Sequence, residues 1–123
     1  MNGHKVLVVE DDSGLREALV DTLSLAGYIC VEAESGETAL LSLKTHQIDI
    51  VVSDVQMGGM SGLSLLKSVK SQLPNMPFLL MTAYGTIDDA VQAMQDGASN
   101  YMAKPFAPEV LLNLVSRISR QTY

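Results

Sequence analysis

Residues 51–62 read Val51-Val52-Ser53-Asp54-Val55-Gln56-Met57-Gly58-Gly59-Met60-Ser61-Gly62. A short apolar run stops on a carboxylate and breaks into glycines. The run is the end of a buried strand, bounded as strands are by turn residues. The glycines mark a loop. Helical spacing resumes at 62–71, with Leu63, Leu66 and Val69 on one face. The fragment is therefore a strand, a loop carrying Asp54 at its start, and a helix.

The same cycle recurs on both sides. The first strand is 5–10 (KVLVVE), followed by a helix with Leu15, Ala18, Leu19, Leu23 and Ala26 inward. Asp12 or Ser13 suits its N-cap. The second cycle is 28–33 (YICVEA) and a helix over 35–44. The third strand spans 48–53. The fourth is 78–82 (FLLMT), and its helix opens on Thr86-Ile87-Asp88-Asp89, a capping-box pattern with Asp89 in place of Glu. The fifth is 99–103, then a helix over 108–120 with Pro108 at its first position. Near-continuous apolar strands alternating with helices predict a parallel sheet covered on both faces. A closed barrel needs about eight such units. Five predict an α/β fold, an open three-layer αβα sandwich, in a single domain over 1–123.

Bulk composition narrows the function. Fourteen acidic and eight basic side chains give a formal charge of −6. That balance argues against nucleic-acid binding by this domain, because phosphate contacts need clustered Lys and Arg. The longest apolar runs fall far short of the roughly 18 residues that span a bilayer, so no membrane segment is expected. Cys30 is the single cysteine; it allows no internal disulfide and points to a cytoplasmic, reducing setting.

Ligands of open parallel sheets bind beyond the C-terminal strand ends. The strand ends carry Glu10-Asp11-Asp12, Asp54, Thr82 and Lys104. Asp11, Asp12 and Asp54 make a crowded negative site that a hard dication would relieve. Mg2+ prefers such oxygen donors, and the rim has no His or Cys to favour Zn2+. A cation, a lysine and a hydroxyl suit an oxyanion such as a phosphoryl group. Asp54 is then the nucleophile, and a phosphohistidine is a chemically competent donor.

These residues carry a family resemblance. VVEDD (8–12), VVSDVQMGGMSG (51–62), MTAYG (81–85) and YMAKPF (101–106) stand in order at strand ends. The chain resembles a response-regulator receiver (CheY-like) domain over essentially its whole length. The resemblance implies a flavodoxin-like sheet of order 2-1-3-4-5. It makes Asp54 the phospho-acceptor and places Mg2+ on Asp11, Asp12, Asp54 and the backbone carbonyl of Gln56. Thr82 and Lys104 would bind phosphoryl oxygens, and Tyr101 would turn inward as Thr82 moves. The Lys104–Pro105 bond would be cis.

Two positions depart from the family pattern. Gly58 stands where proline is common, which should loosen the loop. Ala107 stands at a helix-cap position, which should weaken the start of the last helix. The segment 79–106 is most similar to receivers of NtrC-like sigma-54-dependent activators, including flagellar-gene regulators. That implies a sensor histidine kinase as donor and a homodimer through the helix 4–strand 5–helix 5 face. It also implies AAA+ and DNA-binding domains in a longer chain, of which 1–123 would be the N-terminal part, the alternative being a stand-alone single-domain regulator. A magnesium-dependent phosphatase would need a further acid/base group and a substrate cap. A degenerate receiver would lack one of the acids or the lysine. A flavodoxin-like nucleotide binder would have a Gly/Ser/Thr-rich loop after strand one, where Glu10-Asp11-Asp12 stands.

Overall fold

A computed structural model describes residues 4–83, 87–104 and 107–120. Five strands alternate with five helices. They are β1 (Lys5–Val9), α1 (Ser13–Leu25), β2 (Ile29–Ala33), α2 (Gly36–Thr45), β3 (Ile50–Asp54), α3 (Gly62–Gln72), β4 (Phe78–Thr82), α4 (Ile87–Gln95), β5 (Asn100–Ala103) and α5 (Pro108–Arg120). The strands form one parallel sheet of order β2-β1-β3-β4-β5. The expected α/β sandwich and its strand order are both observed.

The central strands β3 and β4 are buried at every residue, which is why they read as unbroken apolar runs. β2 is an edge strand and keeps Ile29 and Glu32 exposed. β3 starts two residues later than the hydrophobic run suggests. The Asp49 side chain accepts a hydrogen bond from the Lys5 amide at 2.7 Å, and ladder pairing begins at Val6–Ile50.

The sheet separates two cores. Val6, Val8, Ile50, Val52, Leu79, Met81 and Met102 pack against Leu19 and Leu23 of α1 and Leu111, Val115 and Ile118 of α5. Leu7, Val9, Val51, Phe78 and Leu80 pack on the other side against Ala39 of α2, Leu65, Leu66 and Val69 of α3, and Ala93 of α4. Strand side chains alternate between these cores with period two. Each fully buried Leu or Ile contributes about 1.5–3 kcal/mol relative to exposure.

Three helices start on short polar caps. Asp12 accepts from the Leu15 amide, Ser35 from Thr38 and Ser61 from Ser64, each at 3.1 Å. Such caps satisfy amides that the helix leaves unpaired. Ala107 offers no side-chain acceptor, and its carbonyl takes the Val110 and Leu111 amides instead. The Thr86–Asp89 capping pattern and the Lys104–Pro105 bond lie outside the described residues. Among the described residues no helix is long and apolar enough to cross a membrane.

Candidate functional site

The C-terminal ends of β1, β3, β4 and β5 converge on one rim. Extending the β1–β3 register by one step beyond Val8–Val52 and Val9–Ser53 sets Glu10 beside Asp54. Both continue the face that carries Val6, Val8, Ile50 and Val52. Glu10 and Asp54 are consequently buried, at 1% and 3% exposure.

Lys104 reaches them from the end of β5. Its backbone amide donates to the Thr82 carbonyl at 2.8 Å, which extends the β4–β5 ladder to the rim. Its Nζ then lies 2.9 Å from Glu10 Oε1 and 2.9 Å from Asp54 Oδ2. Burial alone pulls the ammonium pKa down. The hydrogen bonds and charges of Asp54 and Glu10 more than offset this and hold Lys104 above its ordinary value. Glu10 goes the same way for a different reason. Burial disfavours its carboxylate, and neither Lys104 nor the Asp12 amide restores the ordinary value. The charge of Asp54 pushes Glu10 further in the same direction.

Oxygens of Glu10, Asp11 and Asp54 lie within 4.8 Å of one another. Asp11 is the exposed member, and its Oδ2 accepts from the Gly58 amide at 3.2 Å. Three carboxylates therefore face one ammonium. Their all-oxygen donor set and surplus negative charge fit a hard dication. An open depression of about 510 Å³ beside them is lined by Asp11, Val55, Gln56, Met57 and Ser61.

The acidic trio differs from the Asp11–Asp12–Asp54 set expected from the sequence. Asp12 turns its carboxylate to the Leu15 amide as the N-cap of α1, and Glu10 joins the cluster in its place. The signal for Glu10 was the period-two alternation, which carries residues 6, 8 and 10 to one face.

The loop after Asp54 is shaped by its glycines. The Gln56 amide points at Asp54 Oδ1, 3.4 Å away. Gly59 adopts φ +79, a left-handed conformation in which side chains are strained. Gly62 opens α3 so close to β3 that a Cβ would stand 2.1 Å from the Asp54 carbonyl oxygen. Met60 fills the space above Gly36 at the start of α2, which anchors the C-terminal part of the loop.

Thr82 and Tyr101 belong to the other face. Thr82 continues the parity of Phe78 and Leu80, and its hydroxyl donates to Gln56 Oε1 at 3.0 Å. Half-buried Tyr101 packs against the same core and pairs with Leu80 across the β4–β5 ladder. The rim thus gathers Glu10, Asp11, Asp54 and Lys104 tightly and joins Gln56 to Thr82.

Comparison with known proteins agrees with this geometry. The family model described as the response regulator receiver domain matches residues 6–116. The response regulator protein FleR of Pseudomonas aeruginosa is 51% identical over 113 residues, covering 92% of this chain and 24% of that protein. The DNA-binding transcriptional regulator NtrC of Klebsiella pneumoniae is 43% identical, covering 89% and 24%. The chain thus spans about a quarter of the length of the curated relatives it matches. A solved structure of a response regulator from Chloroflexus aurantiacus superposes with TM-score 0.91 at 35% identity, covering 97% of this chain and 99% of that one. A Francisella response regulator receiver domain gives TM-score 0.93 at 27% identity, covering 98% and 100%. The chain belongs to the response regulator receiver family.

Proposed function

We propose that the chain is a two-component phosphoacceptor domain that takes a phosphoryl group onto Asp54 and converts it into a change of surface. The observation that carries this is the buried Asp54 carboxylate, held by Lys104 at 2.9 Å and flanked by the acidic cluster. A carboxylate oxygen of Asp54 attacks phosphorus, the P–N bond of a phosphohistidine breaks, and an acyl phosphate forms. Water later cleaves it to inorganic phosphate and restores the carboxylate. The domain catalyses both steps on itself and turns over no separate substrate.

Mg2+ on Asp11, Asp54 and the Gln56 backbone carbonyl, with Glu10 behind them, would neutralise charge on the transferring group. Lys104 stabilises the same charge from the other side, and the Thr82 hydroxyl is available to a phosphoryl oxygen. Tyr101 follows Thr82 within their shared core. The donor in this reading is a sensor histidine kinase. The responding surface is α4, β5 and α5, where Val91, Met94 and Val110 are each about half exposed. Apolar groups at that exposure suit a second copy of the domain. This chain spans about a quarter of its curated relatives, one of them a DNA-binding regulator, which supports a longer chain; in this reading the remainder carries AAA+ and DNA-binding domains and the protein works in the cytoplasm.

The test is intact-mass spectrometry after incubation with acetyl phosphate and Mg2+. One added phosphoryl group is expected, absent from Asp54→Ala and from an EDTA control. If neither acetyl phosphate nor beryllofluoride modified or bound the chain, the reading would fail.

A further inference from the structure

Gln56 touches both halves of the rim. Its amide faces Asp54 Oδ1 at 3.4 Å, and its side-chain oxygen accepts the Thr82 hydroxyl proton at 3.0 Å. Thr82 is 2% exposed and sits at the end of a fully buried strand, whereas Gln56 is exposed on the loop. Thr82 is thus the core side of this bond and Gln56 its solvent side, so the bond can be altered from the loop without repacking the core.

A hydroxyl has a single proton to donate. While that proton goes to Gln56, it is not available to an oxygen carried by Asp54. We propose that the Gln56 side chain is a latch that holds Thr82 in its resting position and sets how readily the domain passes to the phosphorylated arrangement. This inference rests on the phosphoacceptor reading and adds to it a positioning residue. A phosphoryl group on Asp54 must outbid Gln56 for the Thr82 proton, so the latch opposes the active arrangement. Only the side chain acts in this way; the Gln56 backbone carbonyl is untouched by a change beyond Cβ.

The experiment is calorimetric titration of the chain with beryllofluoride in Mg2+, a tetrahedral stand-in for the phosphoryl group. Gln56→Met keeps the chain length and removes the acceptor. A net hydrogen bond of ordinary strength corresponds to binding tighter by on the order of 2- to 10-fold in the variant. Repeating the substitution in a Thr82→Ala background isolates the coupling. There the gain should vanish, because the latch has nothing to hold. The Thr82 methyl resonance of the ligand-free chain should also move in Gln56→Met toward its beryllofluoride-bound position. An unchanged affinity overturns the latch. A loss, or an equal gain in both backgrounds, also overturns it, because Gln56 would then act on the ligand directly. Failure of the unsubstituted chain to bind beryllofluoride overturns the phosphoacceptor reading itself, and the latch with it.

Discussion

Gly62 abuts the carbonyl of Asp54, with its amide donating to the Val55 carbonyl at 2.9 Å and a built Cβ 2.1 Å from the Asp54 oxygen. The obstructing atoms, the Asp54 carbonyl and the Val55 Cα, are all backbone, so nothing can rotate aside. Gly62→Ala should therefore shift α3 or β3 and destabilise the fold by about 1–3 kcal/mol, the usual cost of overpacking. Gly58→Ala is the contrast, since no heavy atom lies within 4 Å of its Cβ position; its effect should stay within about 0.5 kcal/mol. Urea denaturation midpoints at constant slope decide this. Equal midpoints for the two variants would contradict the close approach.

The raised Glu10 pKa makes stability depend on pH. The folded chain keeps the Glu10 proton to higher pH than the unfolded chain, where it leaves near the ordinary value of 4.5. Between that pH and the raised value the native state binds more protons, so stability falls as pH rises. Glu10→Gln removes this contribution. In EDTA, the variant should gain on the parent as pH climbs from 4.5 toward neutral. Lys104 does not interfere, because its contribution is complete below 10.5 and fades only as pH passes its raised value. Parallel stability curves for the two proteins would contradict the assignment.

Asp11 and Asp12 are adjacent but differently employed, and Mg2+ titration separates them. Asp11→Asn should weaken Mg2+ binding on the order of 10- to 100-fold. Asp12→Asn should change it by less than about fivefold, as expected for an exposed charge outside the site. Asn still caps α1, whereas Asp12→Ala should cost about 1 kcal/mol of stability. Tyrosine fluorescence or calorimetry reads the affinity. Equal losses from both Asn variants would put Asp12 back among the ligands.

Lys104 neutralises two buried acids at once. Lys104→Met leaves them facing each other and should destabilise the chain by about 3 kcal/mol at neutral pH. The deficit should shrink in acid as Glu10 takes up its proton, and shrink again when Mg2+ is added. Denaturation at pH 5 and pH 7, with and without Mg2+, tests each part. A deficit independent of both would mean that Lys104 acts through packing of its aliphatic stem.

Most of this architecture was legible because buried parallel strands write themselves as apolar runs. Phe78–Thr82 and Pro108–Arg120 stand where the pattern puts them. Asp54 was legible because it ends a run that nothing else would end. The misplacements have physical causes. Ile48 and Asp49 look like strand, but the Asp49 carboxylate spends itself on the Lys5 amide before the ladder begins. Glu10 was passed over because three acids in a row hide which of them points inward. Only register against β3 distinguishes them, and register is a property of two strands. The Gln56–Thr82 bond was illegible for the same reason, since it joins residues 26 apart across a loop whose path the sequence does not specify.

The alternation of strand side chains has a consequence for how this protein can be altered. The sheet acts as a partition wall: Glu10 and Asp54 lie in the compartment of α1 and α5, and Tyr101 lies in the compartment of α2, α3 and α4 with the parity of Thr82. At the lip of the wall Gln56 meets both, its amide facing Asp54 and its side chain taking the Thr82 hydroxyl. Inserting or deleting one residue within β4 would preserve its composition yet turn Thr82 into the wrong compartment. The acidic cluster of β1 and β3 would remain, but the hydroxyl beside it and the link from the site to Tyr101 would both be lost.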